Sequence, residues 1–154
     1  GVMDIPLRAS VSQDVNNRFM DDLATLEEKT PIRNFMEELT AHITKNGRRF
    51  RGLDPVGKDQ ELLLALSDPA YMISGLTNKM LRERLSDTPF DSDRTDKQLS
   101  AKISRHLRLL RSHGIIRKLP RQNRYQVTVK GMRLANALNA LLAASIENLL
   151  KIAA

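Results

Sequence analysis

The stretch that decides the fold is Leu99-Ser100-Ala101-Lys102-Ile103-Ser104-Arg105-His106-Leu107, continued by Leu110 and by His113-Gly114-Ile115-Ile116-Arg117. On a wheel of 100° per residue, Ile103, Leu107 and Leu110 fall within about 80° of Leu99, which predicts an amphipathic helix over 96–112. His106 shares that apolar face and reads as a half-buried structural histidine with a local hydrogen bond. The opposite face carries Ala101, Arg105, Arg108 and Ser112, flanked by Lys97, Gln98 and Ser104. His113-Gly114 closes the helix. Residues 115–119 and 124–128 are short β-rich runs joined by Pro120-Arg121-Gln122-Asn123, which predicts a hairpin. Residues 131–154 then read as a long final helix.

Working back from this stretch, short helices are expected over 58–66 and 77–85, separated by a break at Ser67-Asp68-Pro69. Residues 86–95 form a polar, acidic loop interrupted by Pro89. Further back, Val15, Phe19, Leu23 and Leu26 predict a helix over 12–26 with Ser12 as its cap. Thr30-Pro31 reads as another helix start. Ile32, Phe35, Met36, Leu39 and Ile43 give that helix one apolar stripe, and Asn46-Gly47 ends it. Arg48-Arg49-Phe50-Arg51-Gly52 and Asp54-Pro55 look like a linker. The expected organisation is therefore an N-terminal helical segment over 1–57 and a second domain over 58–154, with a boundary near 53–57.

The order helix, helix, helix, basic hairpin, helix resembles a winged helix-turn-helix domain. The resemblance rests on the residues quoted first, and on Arg124-Tyr125-Gln126-Val127-Thr128 followed by Lys130-Gly131. It is strongest toward the bacterial arsenical-resistance-type repressors. There a Ser, an apolar residue, Ser, any residue, His and Leu run into a Gly-hydrophobic-hydrophobic-Arg strand. It covers roughly residues 58–152. It implies a mainly α fold with a small β-hairpin wing, and a DNA-binding role for the helix over 96–112. Two departures stand out. The loop before that helix is long and acidic (Asp87, Asp91, Asp93, Asp96), where a helix-turn-helix has a tight turn. The family's cysteine metal ligands are absent, which excludes metal sensing of that type.

Charge points the same way. The chain has 25 Lys+Arg and 18 Asp+Glu. Residues 1–96 carry net −4 and residues 97–154 carry net +11, together the formal +7. Residues 97–146 contain no acidic side chain and eleven basic ones. So lopsided a field predicts a polyanionic partner, double-stranded DNA above all. The 154 residues and 41% apolar content suit one domain or a domain with an appendage. The absence of cysteine removes disulfides, thiolate metal sites and cysteine nucleophiles, and fits a cytoplasmic location. No signal peptide is expected. The apolar residues 134–154 are interrupted by Asn136, Asn139, Ser145, Glu147, Asn148 and Lys151, too polar for a bilayer span.

The DNA-contacting set expected from this pattern is Lys97, Gln98, Ala101, Ser104, Arg105, Arg108 and Arg111 on the helix. The hairpin adds Arg117, Lys118, Arg121, Asn123 and Arg124. Arg105 suits a bidentate pair with guanine and Gln98 one with adenine, whereas Ser104, Arg108 and Arg111 suit phosphates. Arg121 at the hairpin tip suits a minor groove. In the last helix, Ala135, Leu138, Leu142, Ser145, Leu149 and Ile152 follow heptad spacing, with Ile146 beside them. A homodimer through Leu138, Leu142, Ile146 and Leu149 is expected. No phosphate loop, nucleophile elbow or zinc-protease motif is present, and His106 and His113 show no carboxylate partner. Neither catalysis, metal nor cofactor is expected. Transcriptional regulation, or DNA targeting for a longer protein, is the expected role. The alternative is a winged helix used for protein or RNA contact.

Overall fold

A computed structural model describes residues 29–153; the helix expected over 12–26 lies outside them. Helix α1 (Lys29–Thr40) leads into strands β1 (Ile43–Lys45) and β2 (Arg48–Phe50). Helices α2 (Gln60–Ala65), α3 (Pro69–Ser74), α4 (Asn78–Leu85) and α5 (Asp96–Ser112) follow. Strands β3 (Ile116–Lys118) and β4 (Tyr125–Val127) and the long helix α6 (Val129–Ala153) complete the chain. The described chain is mainly helical, with two antiparallel two-stranded hairpins.

The first hairpin corrects the sequence reading of residues 41–52. The helix does not run on to Asn46-Gly47 but stops at Thr40. Thr40 Oγ1 donates to the Met36 carbonyl at 2.9 Å, and the Leu53 amide donates to the Leu39 carbonyl at 2.9 Å. The second bond satisfies a carbonyl that the helix end leaves open. Asn46 (φ 52°) and Gly47 (φ 76°) both take left-handed conformations. That is the demand of a tight hairpin turn, and Asn-Gly is the pair that meets it best. The register is Ile43↔Phe50, Thr44↔Arg49 and Lys45↔Arg48. Ser67-Asp68-Pro69 does end α2, as expected, but Asp68-Pro69 also starts a further short helix, α3, that the sequence reading lacked. Asp68 accepts from the Ala70 amide at 3.0 Å, and Pro69 occupies a position whose N–H has no helical partner anyway.

One hydrophobic cluster holds these elements together. It takes Leu62, Leu63 and Leu66 from α2 and its end, Leu81 and Leu85 from α4, and Leu99, Ile103, Leu107 and Leu110 from α5. Leu134 and Leu138 come from α6. Met36, Leu39, Leu53 and Val56 belong to the same cluster. The core therefore runs straight through the boundary expected at 53–57, and residues 29–57 are packed onto the rest. Each such side chain removed from water contributes about 1.5–3 kcal/mol.

The second hairpin pairs as Ile116↔Val127, Arg117↔Gln126 and Lys118↔Tyr125. Its outer edge is not free. Leu76, just before α4, exchanges two backbone hydrogen bonds with Tyr125, at 2.8 and 2.9 Å. On the far side, the Thr128 hydroxyl accepts from the Gly131 amide at 3.1 Å and steadies the start of α6. Gly131 allows that helix to sit close, because a Cβ there would lie 2.3 Å from the Ile115 carbonyl oxygen.

A buried carboxylate joins the N-terminal hairpin to α5. Asp59 is 1% exposed. Arg51 Nη1 and Nη2 grip it bidentately at 2.7 and 2.8 Å, the Asp54 amide donates to it at 2.8 Å, and His106 Nε2 lies 3.4 Å away. Burial alone would raise the Asp59 pKa. The Arg51, His106 and Asp54 hydrogen bonds and the Arg51 charge outweigh it and hold the carboxyl far below its usual range. His113, at the end of α5, sits beside this network with Nε2 2.8 Å from the Arg51 carbonyl. Burial pushes its pKa below the ordinary 6.5, against the opposing effect of that hydrogen bond.

Both shifts are downward, so both groups stabilise the fold at high pH and cease to do so as pH falls. Melting temperature is expected to hold steady between about pH 7 and 8. It should decline first as pH drops below about 6.5 and unfolded-state His113 takes up a proton, and again below about 4 through Asp59. His113→Asn should erase the first decline and leave the second. A single acid transition in both proteins, followed by circular dichroism, would contradict this.

Candidate nucleic-acid interface

Helix α5 is fixed at its start and along one flank. The Thr95 hydroxyl accepts from the Gln98 amide at 3.2 Å, while Gln98 Oε1 accepts from the Thr95 amide at 3.0 Å. This reciprocal capping box satisfies two otherwise open donors. It also revises the expectation for Gln98. A bidentate adenine pair needs the side-chain oxygen that the cap occupies, so Gln98 serves the helix start. On the flank, Asn78 Nδ2 donates to the Ser100 carbonyl at 2.9 Å and to Ser104 Oγ at 3.0 Å. Its Oδ1 accepts from Ser100 Oγ at 3.1 Å and from Arg82 Nε at 2.9 Å. Arg82 also pairs with Asp96 at 2.9 Å. These contacts set the roll of α5 against α4 and so decide which face looks outward.

The inward face is the expected one, with Leu99, Ile103, Leu107 and Leu110 buried. Outward, Lys97, Gln98, Ala101, Ser104, Arg105, Arg108 and Arg111 are all exposed. Ser112 departs from the expectation: it is buried, and its hydroxyl donates to the Leu109 carbonyl at 2.6 Å. Among the described residues, Arg105, Arg108 and Arg111 have no carboxylate within ion-pair distance. Lys102 leaves the basic field. Its ammonium donates to the Phe90 carbonyl at 2.6 Å and sits 3.9 Å over the Phe90 ring, and burial lowers its pKa. His106 is half-buried as expected, with Nδ1 2.9 Å from the Lys102 carbonyl and its ring edge-on to Phe90. Its contact with Asp59 was not legible, because that carboxylate lies far back in the sequence.

The loop before α5 is tethered by its own residues. Phe90 is buried in the core. Asp91 accepts from the Asp87 amide at 3.1 Å and from the Arg94 amide at 3.2 Å. Two of its four carboxylates, Asp91 and Asp96, are thus engaged within the protein. Ser92, Asp93 and Arg94 form one wall of a cleft of about 470 Å³ whose other wall is Gln98, Ala101 and Arg105 of α5.

In the second hairpin, Arg117, Lys118, Arg121 and Asn123 are exposed. Arg117 is bonded to Gln126 across the strands. Arg121 holds φ 60° at the tip, a conformation that costs a non-glycine residue roughly 1–3 kcal/mol. Arg124 is only half-exposed, and its guanidinium donates to the Ser74 carbonyl at 2.7 Å. It fastens the hairpin to the end of α3.

The seam expected on α6 also divides. Ala135 and Leu138 are buried in the protein's own core, so Leu138 is unavailable to a partner. Leu142 is half-buried, and Ile146 (41%), Leu149 (49%), Leu150 (66%) and Ile152 (82%) are exposed. Sequence reasoning missed Lys45 and Arg48, because it places Lys45 at the end of a helix and Arg48 in a linker, whereas both lie on the first hairpin. The Asn46-Gly47 pair between two short runs was the signal that would have placed them on a hairpin.

Among the described residues, no group of three His, Asp or Glu side chains is placed to hold a metal ion. Among them, no helix is long and apolar enough to cross a membrane. Comparison with protein-family models, with curated proteins and with solved structures gives no match for this chain.

The capping box carries a test of its own. Thr95→Ala should destabilise the protein by about 1 kcal/mol, lowering its melting temperature by roughly 2–4 °C. Thr95→Ser should restore most of that. An unchanged melting temperature in Thr95→Ala would mean that α5 does not depend on this cap.

Proposed function

We propose that this protein is a duplex-DNA-binding module of the winged helix-turn-helix type, serving transcriptional regulation or the DNA targeting of a longer protein. In this reading α5 enters the major groove and the β3–β4 hairpin is the wing. One observation carries it. The outward face of α5 presents Lys97, Ser104, Arg105, Arg108 and Arg111 around a small Ala101, with no acidic residue on the helix beyond Asp96. A small residue lets the backbone approach base edges, and unpaired guanidinium groups match both guanine and phosphate. The Leu76–Tyr125 bridge supports the wing, since it ties the hairpin to the segment entering α4.

The roles follow from position. Arg105, at the centre of the outward face, reads a base edge. Lys97, Ser104, Arg108 and Arg111 hold phosphates, as do Arg117, Lys118 and Asn123 on the hairpin. Arg121 enters a minor groove. The exposed apolar end of α6, from Leu142 through Ile146 and Leu149, pairs with a second copy.

Duplex binding should weaken steeply with salt, with about five to eight phosphate contacts giving a log–log slope of roughly −4 to −7. Arg105→Ala should cost about 1–3 kcal/mol on a preferred site selected from random duplexes and much less on scrambled DNA. Arg121→Ala should weaken both by similar factors and shallow the slope by about one unit. Titrations of each variant against matched and scrambled duplexes check this. A flat salt response in the wild type would remove the nucleic-acid reading, and an equal loss for Arg105→Ala on both duplexes would remove base reading by α5.

Assembly is tested separately by light scattering. Wild type should be a dimer at tens of micromolar, and Leu149→Asp a monomer with an unchanged melting profile at low concentration, because the substitution places a charge in the seam and not in the core. A wild type already monomeric at that concentration would refute the seam.

A further inference from the structure

We propose that the β1–β2 hairpin is a second nucleic-acid grip, forming with the C-terminal half of α5 a cleft that takes a backbone phosphate of the bound duplex. The inference rests on the DNA-binding reading above and adds a contact that lies outside the recognition helix and wing.

A cleft of about 440 Å³ opens between the first hairpin and α5, lined by Lys45, Asn46, Arg48 and Phe50 on one side and by Arg108, Arg111 and Ser112 on the other. Four cations line it and no carboxylate does. Among the described residues, none of the four has an acidic partner within 4.0 Å. Four basic residues elsewhere are paired, Arg51 with Asp59, Arg82 with Asp96, Arg84 with Asp68 and Lys130 with Glu38, whereas the four of the cleft, like Arg105 on the outward face of α5, are not.

The strand register shows how the charges come to share it. Lys45 and Arg48 are directly opposed across the hairpin, and like charges so placed repel. Side chains alternate along a strand, so Lys45, Arg48, Ile43 and Phe50 share one face while Thr44 and Arg49 share the other. The first face is the one that lines the cleft. Phe50 is partly buried against the core and anchors the hairpin there, and the Arg48 guanidinium lies 6.0 Å from the centre of its ring. Arg108 and Arg111 approach from the helix. Four positive groups held around one opening, with no internal anion, are arranged for an external one.

The occupant is fixed by continuity. Arg108 belongs both to this cleft and to the outward face of α5, one turn beyond Arg105. At 1.5 Å per residue, Arg111 lies about 9 Å along the axis from Arg105, within reach of the backbone flanking the base that Arg105 reads. A phosphodiester presents a single negative charge with two free oxygens, which suits guanidinium groups converging from two sides.

The register also supplies an internal control, because Arg49 carries the same charge on the opposite face. Duplex binding is measured across a salt series for wild type, Lys45→Gln/Arg48→Gln and Arg49→Gln, on matched and scrambled DNA. The double variant should shallow the log–log slope by about one unit, equally on both duplexes, since a phosphate contact carries no sequence information. Arg49→Gln should shift it by less than half of that. Neither variant should melt below wild type, because the altered side chains are exposed and the double variant also relieves the Lys45–Arg48 repulsion. An unchanged slope in the double variant, alongside a steep wild-type slope, overturns the cleft and leaves the recognition helix standing. An equal shift in Arg49→Gln overturns it too, by showing a diffuse field in place of a site. Wild type without salt-dependent duplex binding overturns both readings together.

Discussion

The structure turns on one carboxylate. Asp59 is buried in the protein, and a buried charge without partners is intolerable in a medium of low dielectric. Its oxygens are answered by the Arg51 fork, the Asp54 amide and the His106 ring. These partners come from the strand exit before it, from its own loop and from α5. Satisfying one charge therefore fixes the N-terminal hairpin, the start of α2 and the middle of α5 in a single arrangement. His113, bonded to the Arg51 carbonyl, ties the end of α5 to the same point.

That arrangement, with the shared core cluster, packs residues 29–57 onto the rest across the boundary expected at 53–57. A fragment beginning at residue 58 would keep Asp59 but lose the Arg51 fork, leaving a carboxylate to be protonated or hydrated inside the core. It would also uncover the leucines that Met36, Leu39 and Leu53 now cover. Residues 29–57 pack on the same core, and their first hairpin is held beside α5 by the contacts of Arg51 with Asp59 and His113.

Much of this was legible in the sequence. The period of Leu99, Ile103, Leu107 and Leu110 gave α5 its limits and its faces, because an amphipathic pattern over four turns is the strongest local signal a chain carries. The second hairpin was equally readable from β-rich runs around a proline-led turn. What the sequence did not yield was contact between distant residues and the choice among competing local signals. Asn46-Gly47 serves either as a helix stop or as a hairpin turn, and only the pairing of Ile43 with Phe50 decides between them. Asp68-Pro69 similarly breaks one helix while starting the next. Within the candidate interface, exposure followed the helical wheel closely. Hydrogen bonding did not, so Gln98 and Arg124 read as ligand contacts although their polar groups are engaged by Thr95 and Ser74.

The long helix α6 is two different objects end to end. Its first part, through Leu138, belongs to the core, while its last turns carry Ile146, Leu149, Leu150 and Ile152 into the open. In the dimer proposed above, that division imposes geometry on the target. Self-pairing of identical helix ends generates a two-fold axis. Because each α6 is rigidly continuous with the core that seats its own α5, the axis relates the two reading faces as well. The recognised sequence would then be an inverted repeat, and the length of α6 beyond the core would set the spacing between its halves.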